Sequence, residues 1–285
     1  MKKKLLIISL LLILFTSSCT ITKDNLENAK IYTTTYPIKY LTQYLYSTYA
    51  EIESIYPVDA DINSYTLSKK QLKEFASGDI FVYNGLTNEK EIAKSLVNKN
   101  KNLLIIDVSY GLSLENDVTE LWLSPNNYLM LAKNIKDNLL ELVVSKMLIE
   151  EIENNFDAFE EKISLMDASL HSIGKKASDN NKNVIIASDN TFKYLEHYGF
   201  EVISLENEEN LKENKLNSIK SNFKSQKYKY ILYLNNNEKS DIITELTDDY
   251  DAKIITVEAM TMNLSSDYFD IMTDYIDNIN TIVSN

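Results

Sequence analysis

A chain of 285 residues that is 44% hydrophobic and 25% charged can build one large or two medium domains with apolar cores, which excludes a disordered or collagen-like polymer. Its 5 glycines and 3 prolines are too few for an all-β fold with frequent tight turns or for a glycine-rich phosphate cradle, and they leave helix with parallel strand. The formal charge is −13 and all 29 basic residues are lysine; bidentate phosphate and base contacts lean on arginine, so nucleic acid is not a partner and a cation suits the chain better.

Met1-Lys2-Lys3-Lys4 precedes an apolar run from Leu5 to Phe15 that is broken only by Ser9. The layout is that of a signal peptide, because the run is too short to span a bilayer as a helix of about 20 residues. Small residues lead directly into Cys19, the only cysteine, in a pattern similar to a bacterial lipobox, although Thr16 stands where leucine is usual. Cys19 is thus expected to be the lipidated first residue of a mature chain; an ordinary signal peptide with an incidental cysteine is the alternative. A lone cysteine cannot close an internal disulfide. Loss of Lys2 to Lys4 makes the exported, membrane-tethered protein still more acidic.

In chain order, short β-rich runs at 30–34, 51–56, 79–84 and 103–108 alternate with helix-like segments. Ser68 with Gln71 three residues on predicts a capping box, and Ser124-Pro125 predicts a helix start. A helical stretch follows from about 126 to 176. Within it Ile152, Phe156, Phe159, Ile163, Met166, Leu170 and Ile173 recur every three or four residues, a narrow stripe along a helix of roughly 30 Å. The stripe predicts a stiff strut between two lobes, with a coiled-coil dimer seam as the alternative. Strand-like runs then recur at 184–188, 201–205, 230–234 and 253–257. The expected organisation is a signal peptide (1–18), a lipid-anchored linker (19–28), an N-terminal α/β lobe (29–125), a helical segment with the linking helix (126–178) and a C-terminal α/β lobe (179–285).

The usual catalytic patterns G-x-S-x-G, H-E-x-x-H and C-x-x-C are missing. The only two histidines, His171 and His197, read as solvated surface residues without a partner, and the 19 tyrosines as scattered filling. Ligands of α/β sheets bind at the carboxyl ends of the strands. Four post-strand segments carry oxygen donors: Asp59 to Asn63, Asp117 to Glu120, Ser188 to Asn190, and Val257-Glu258, two from each lobe.

Several longer segments together carry a resemblance. Ile31 to Pro37, Tyr56 to Ser68, Phe75 to Gly85, Asp107 to Gly111 and Trp122 to Asn126 resemble the N-lobe of the solute-binding lipoproteins of zinc and manganese ABC importers. Phe192 to Leu195, Tyr198-Gly199 and Asp251 to Glu258 are similar to that family's C-lobe. The resemblance covers nearly the whole mature chain. It implies two Rossmann-like four-stranded lobes joined by a long rigid helix, one divalent metal ion in the cleft, and delivery to a membrane permease. Carried over by position, the family's ligands fall on Asn63, Glu120, Asp189 and Glu258, so every imidazole of the relatives is replaced by an oxygen donor. Such a set favours manganese over zinc. The expectation is therefore an extracytoplasmic lipoprotein that captures a divalent cation (Mn, Zn or Fe class) for an ABC importer and is not an enzyme. A diverged member without metal, binding another solute or a surface partner, is the alternative; an acid/base pair of Glu120 and Asp189 is the weaker enzyme reading.

Overall fold

The computed structural model describes residues 26–57, 60, 62, 64–113, 120–206, 211–235, 239–259 and 266–284. The leader, Cys19 and Asn63 lie outside the described residues. The N-terminal half runs β1 (Ala29–Thr33), α1 (Tyr36–Tyr46), β2 (Ala50–Ser54), α2 (Lys69–Phe75), β3 (Ile80–Tyr83), α3 (Glu89–Lys99) and β4 (Leu104–Asp107). A 3-10 turn (Leu121–Leu123), α4 (Pro125–Leu142) and α5 (Lys146–Asp179) follow. The C-terminal half runs β5 (Val184–Ala187), a 3-10 helix (Asn190–Tyr198), β6 (Glu201–Ser204), α6 (Glu213–Lys224), β7 (Tyr230–Asn235), α7 (Asp241–Asp249), β8 (Lys253–Glu258) and α8 (Tyr268–Ser284).

The strands form two parallel sheets, in the orders β2-β1-β3-β4 and β6-β5-β7-β8. The orders are the same pattern twice, so the two-lobe α/β architecture is realised by a repeated topology that the sequence does not display as a repeat. Parallel strands covered on both faces need apolar residues on both. In β3, Ile80 and Val82 face one core while Phe81 and Tyr83 face another. In β7, Leu232 and Leu234 turn one way, Ile231 and Tyr233 the other. Each sheet thus has an outer core of its own, and both inner faces open onto a single shared core that runs from Leu26 to Val283.

The helix starts follow local chemistry. Ser68 and Gln71 form the reciprocal capping box, and Ser124 accepts the Asn127 N–H ahead of Pro125. The helical stretch is not continuous: Val143 is extended, and Ser145 caps a new helix by accepting the Leu148 N–H. The second helix, α5, has 34 residues, so at about 1.5 Å per residue it is about 50 Å long rather than the 30 Å expected from its stripe alone. Its stripe is filled from within the chain: Ile152, Phe159, Ile163 and Leu170 are buried, and α5 packs against α1, α4 and α8. That removes the coiled-coil alternative.

The tyrosines are spread over the cores and the surface, as expected of filling residues, but three of them join a local aromatic cluster. Tyr44, Tyr128, Tyr268, Phe159 and Phe269 form one aromatic cluster, with the Tyr128 and Tyr268 centroids 4.1 Å apart. Tyr268 at the start of α8 donates its hydroxyl to the Trp122 carbonyl (2.8 Å), and Tyr128 donates to the Pro37 carbonyl (2.9 Å). Tyr40 reaches Asp267 at 2.7 Å. The C-terminal helix is thereby tied to the N-terminal lobe.

Gly174 sets how closely α5 meets the other lobe. A Cβ there would lie 1.9 Å from the Tyr198 carbonyl oxygen and 3.3 Å from the Phe200 ring. Alanine gains about 1 kcal/mol in helix propensity but forces this contact apart, at a cost of about 1–3 kcal/mol. Gly174→Ala is expected to lower the urea midpoint with the slope unchanged. A raised midpoint would contradict the packing.

Candidate functional site

In sheets of this order, the crevice opens at the carboxyl ends of the strands where the order reverses. Those points are β1/β3 in one lobe and β5/β7 in the other. Glu120 comes from the segment after β4, immediately before the 3-10 turn. It is 3% exposed and its Oε2 accepts the indole N–H of Trp122. The turn buries Leu121, Trp122 and Leu123 together, so the carboxylate is held against the chain's one tryptophan.

Asp189 follows β5 and caps the 3-10 helix, its Oδ1 accepting the Thr191 N–H at 2.7 Å. Glu206, beyond β6, takes the neighbouring Asn190 N–H at 2.8 Å, a second carboxylate at this edge that sequence reading did not single out. Glu258 ends β8, is exposed, and accepts the Asn235 side-chain N–H at 2.9 Å from its register partner. With β7 between β5 and β8, strand spacings of about 4.8 Å put the backbones bearing Asp189 and Glu258 roughly 10 Å apart. Among the described residues no three His, Cys, Asp or Glu side chains come together as a metal-holding group.

What is brought together is a cavity of about 430 Å³ between the lobes. One wall carries Gly111, Glu120, Ser124 and Asn127; the other carries Thr191, Lys193, Tyr194 and His197. Asp189 adjoins this second wall through its bond to Thr191. The histidines are not isolated as expected: the His171 and His197 rings lie 5.7 Å apart, and the His171 Nε2 is 3.7 Å from Asp167.

At the β3 end, Glu89 opens α3 and is 3% exposed. Its carboxylate accepts the Asn84 N–H at 2.7 Å. Burial pushes its pKa from 4.5 up to about 7, with nearby Asp107 adding to the shift and the Asn84 hydrogen bond opposing it. Asp107 is itself held by the N–H groups of Gly85 and Ser109. A raised folded-state pKa means that the native protein keeps a proton that the unfolded chain has lost. Stability therefore falls as pH rises from about 4.5 to about 7, by an amount on the order of 3 kcal/mol from this group. Glu89→Gln keeps an acceptor for Asn84 and removes the titration. Its stability relative to the parent is expected to improve between pH 5 and pH 8 in denaturant melts; a pH-independent difference would contradict a protonatable Glu89.

The family described as zinc-uptake complex component A, periplasmic, matches residues 31–282. The iron-binding protein YfeA of Yersinia pestis is 25% identical over 193 residues, which are 64% of this chain and 60% of that protein, so the chain spans about three fifths of the length of this curated relative. Among solved structures, the metal-dependent lipoprotein YcdH from Bacillus subtilis superposes with a TM-score of 0.73 at 19% identity, covering 89% of this chain and 98% of that one. The Zn(II)-bound ZnuA-like domain of Streptococcus pneumoniae AdcA gives 0.71 at 20% identity, covering 90% and 100%. At these identities the structures speak for the fold, two parallel four-stranded sheets and a long central helix, while the match along residues 31–282 assigns the lineage: the chain belongs to the zinc-uptake complex component A family.

Proposed function

We propose that this protein is the extracytoplasmic, metal-capturing component of an ABC importer, anchored to the membrane through a lipid on Cys19 and handing a divalent cation to its permease. The observation that carries the reading is Glu120: a carboxylate buried on the wall of the interlobe cavity in a chain that belongs to a metal-uptake family. Asn63, Glu120, Asp189 and Glu258 are the proposed ligands. A carboxylate on the wall of such a cavity is a hard oxygen donor of the kind a divalent ion takes, and Glu120 is positioned there by its bond from the Trp122 indole.

The donor chemistry selects the cargo. Asn63, Glu120, Asp189 and Glu258 offer oxygen only, which suits Mn²⁺ and other hard ions better than Zn²⁺. Capture exchanges water in the cavity for these oxygens, and Trp122 orients Glu120 through its indole N–H. Asp189 and Glu258 approach the ion from strands on either side of β7, and Glu258 can offer Oε1 while Oε2 keeps its bond from Asn235. The shared core limits the lobes to a small movement on binding, and release follows when docking to the permease disturbs the cavity. Among the described residues no helix is long and apolar enough to cross a membrane.

Trp122 provides a direct readout, because it is the only tryptophan and it touches the proposed ligand. After chelator treatment, Mn²⁺ is expected to change its emission and raise the thermal midpoint, saturating at one ion per chain, with Ca²⁺ and Mg²⁺ weaker. Glu120→Gln preserves an acceptor for the indole and is expected to keep the apo midpoint while losing the ion-dependent rise. An unchanged metal response in that variant removes Glu120 from the site, and no response to Mn²⁺, Fe²⁺ or Zn²⁺ in the parent favours a member of the fold that takes another solute.

A further inference from the structure

The only two histidines in 285 residues are neighbours, although 26 positions separate them and they lie on different elements. His171 stands on α5 and His197 at the end of the 3-10 helix, and their ring centroids are 5.7 Å apart. With metal–nitrogen bonds of about 2.0–2.1 Å, two imidazoles that share one ion place their centroids on the order of 5–6.5 Å apart. Both side chains are accessible: His171 is 51% exposed, and His197 is exposed on the cavity wall.

The surroundings hold this pair in place. Gly174 lets the 3-10 helix press against α5, where any side chain would strike the Tyr198 carbonyl. Ser178 and Asn183 both donate to the Gly199 carbonyl, at 3.1 and 2.9 Å. The Tyr198 ring packs edge-on against His171 at 4.7 Å and lies 5.5 Å from His197. Its hydroxyl donates to Asp167 Oδ1 at 2.7 Å, which leaves Oδ2 facing His171 Nε2 at 3.7 Å. A carboxylate on one side of an imidazole is the kind of neighbour that orients metal-ligating histidines, and a short rotation of His171 would bring this one within hydrogen-bond reach.

We propose that His171 and His197 form a second metal site, outside the oxygen-donor set of the cleft, that binds a borderline transition-metal ion such as Zn²⁺ or Cu²⁺ through two imidazoles. Water completes the coordination, and Asp167 acts as a positioning residue through its interaction with His171. Imidazole pairs suit zinc, copper and nickel and have little affinity for the hard ions that an all-oxygen set prefers. The two sites therefore differ in chemistry. An ion held by the pair staples α5 to the 3-10 helix at the rim of the cavity whose other wall carries Glu120.

Because the chain has no other histidine, imidazole signals can come from nowhere else. Long-range proton–nitrogen spectra of the full, untagged protein, titrated with Zn²⁺ at mildly alkaline pH, are expected to show both imidazoles responding together and saturating at one ion. His171→Ala is expected to weaken the response of His197 by about tenfold or more, and Asp167→Asn to weaken both by about tenfold. Glu120→Gln is expected to leave both responses intact, which keeps this test separate from the cleft reading. The proposal is overturned if neither imidazole responds to Zn²⁺, or if His197 responds as strongly without His171.

Discussion

The shared core along α5 is the constraint on which the rest of the structure depends. A helix of 34 residues with an unbroken apolar stripe cannot leave that stripe in water, and both lobes supply the surfaces that cover it. The aromatic cluster of Tyr44, Tyr128, Phe159, Tyr268 and Phe269 then joins α1, α4, α5 and α8 in one packed unit. Because packed interiors deform little, the lobes cannot swing freely about a hinge. The cavity between them lies beside this packed unit, with Glu120 on its wall.

Much of this was legible in the sequence for a physical reason. Parallel strands buried on both faces are short apolar runs, and all eight were visible as such, within a residue or two of their observed ends. The capping box at Ser68 and the cap at Ser124 were legible because each needs only local residue types. The break at Val143 to Ser145 was not, since the apolar pattern continues across it while only the backbone and the Ser145 cap interrupt the helix. Nor was the closeness of His171 to His197, which depends on Gly174 allowing two distant elements to touch. Glu89 carried no motif; its buried position at the end of β3 is a product of the sheet order.

The candidate ligands show the same division. Their residue types and their order after the strands are properties of the sequence, whereas their convergence is a property of three dimensions. Glu120 reaches the interlobe cavity and Asp189 adjoins it, while Glu258 stands two strands from Asp189 and is engaged with Asn235. Asn63 lies outside the described residues. Of the three described, only Glu120 lines the cavity, whose opposite wall also carries the His197 imidazole, while His171 stands behind it on α5.

The central claim is that the cleft takes its ion through oxygen alone. X-ray absorption at the metal edge of the protein loaded with one equivalent of Mn²⁺ tests it most directly. The account predicts a first shell of oxygen atoms with no imidazole scattering; the signature of one or more imidazoles on the bound Mn²⁺ would contradict it.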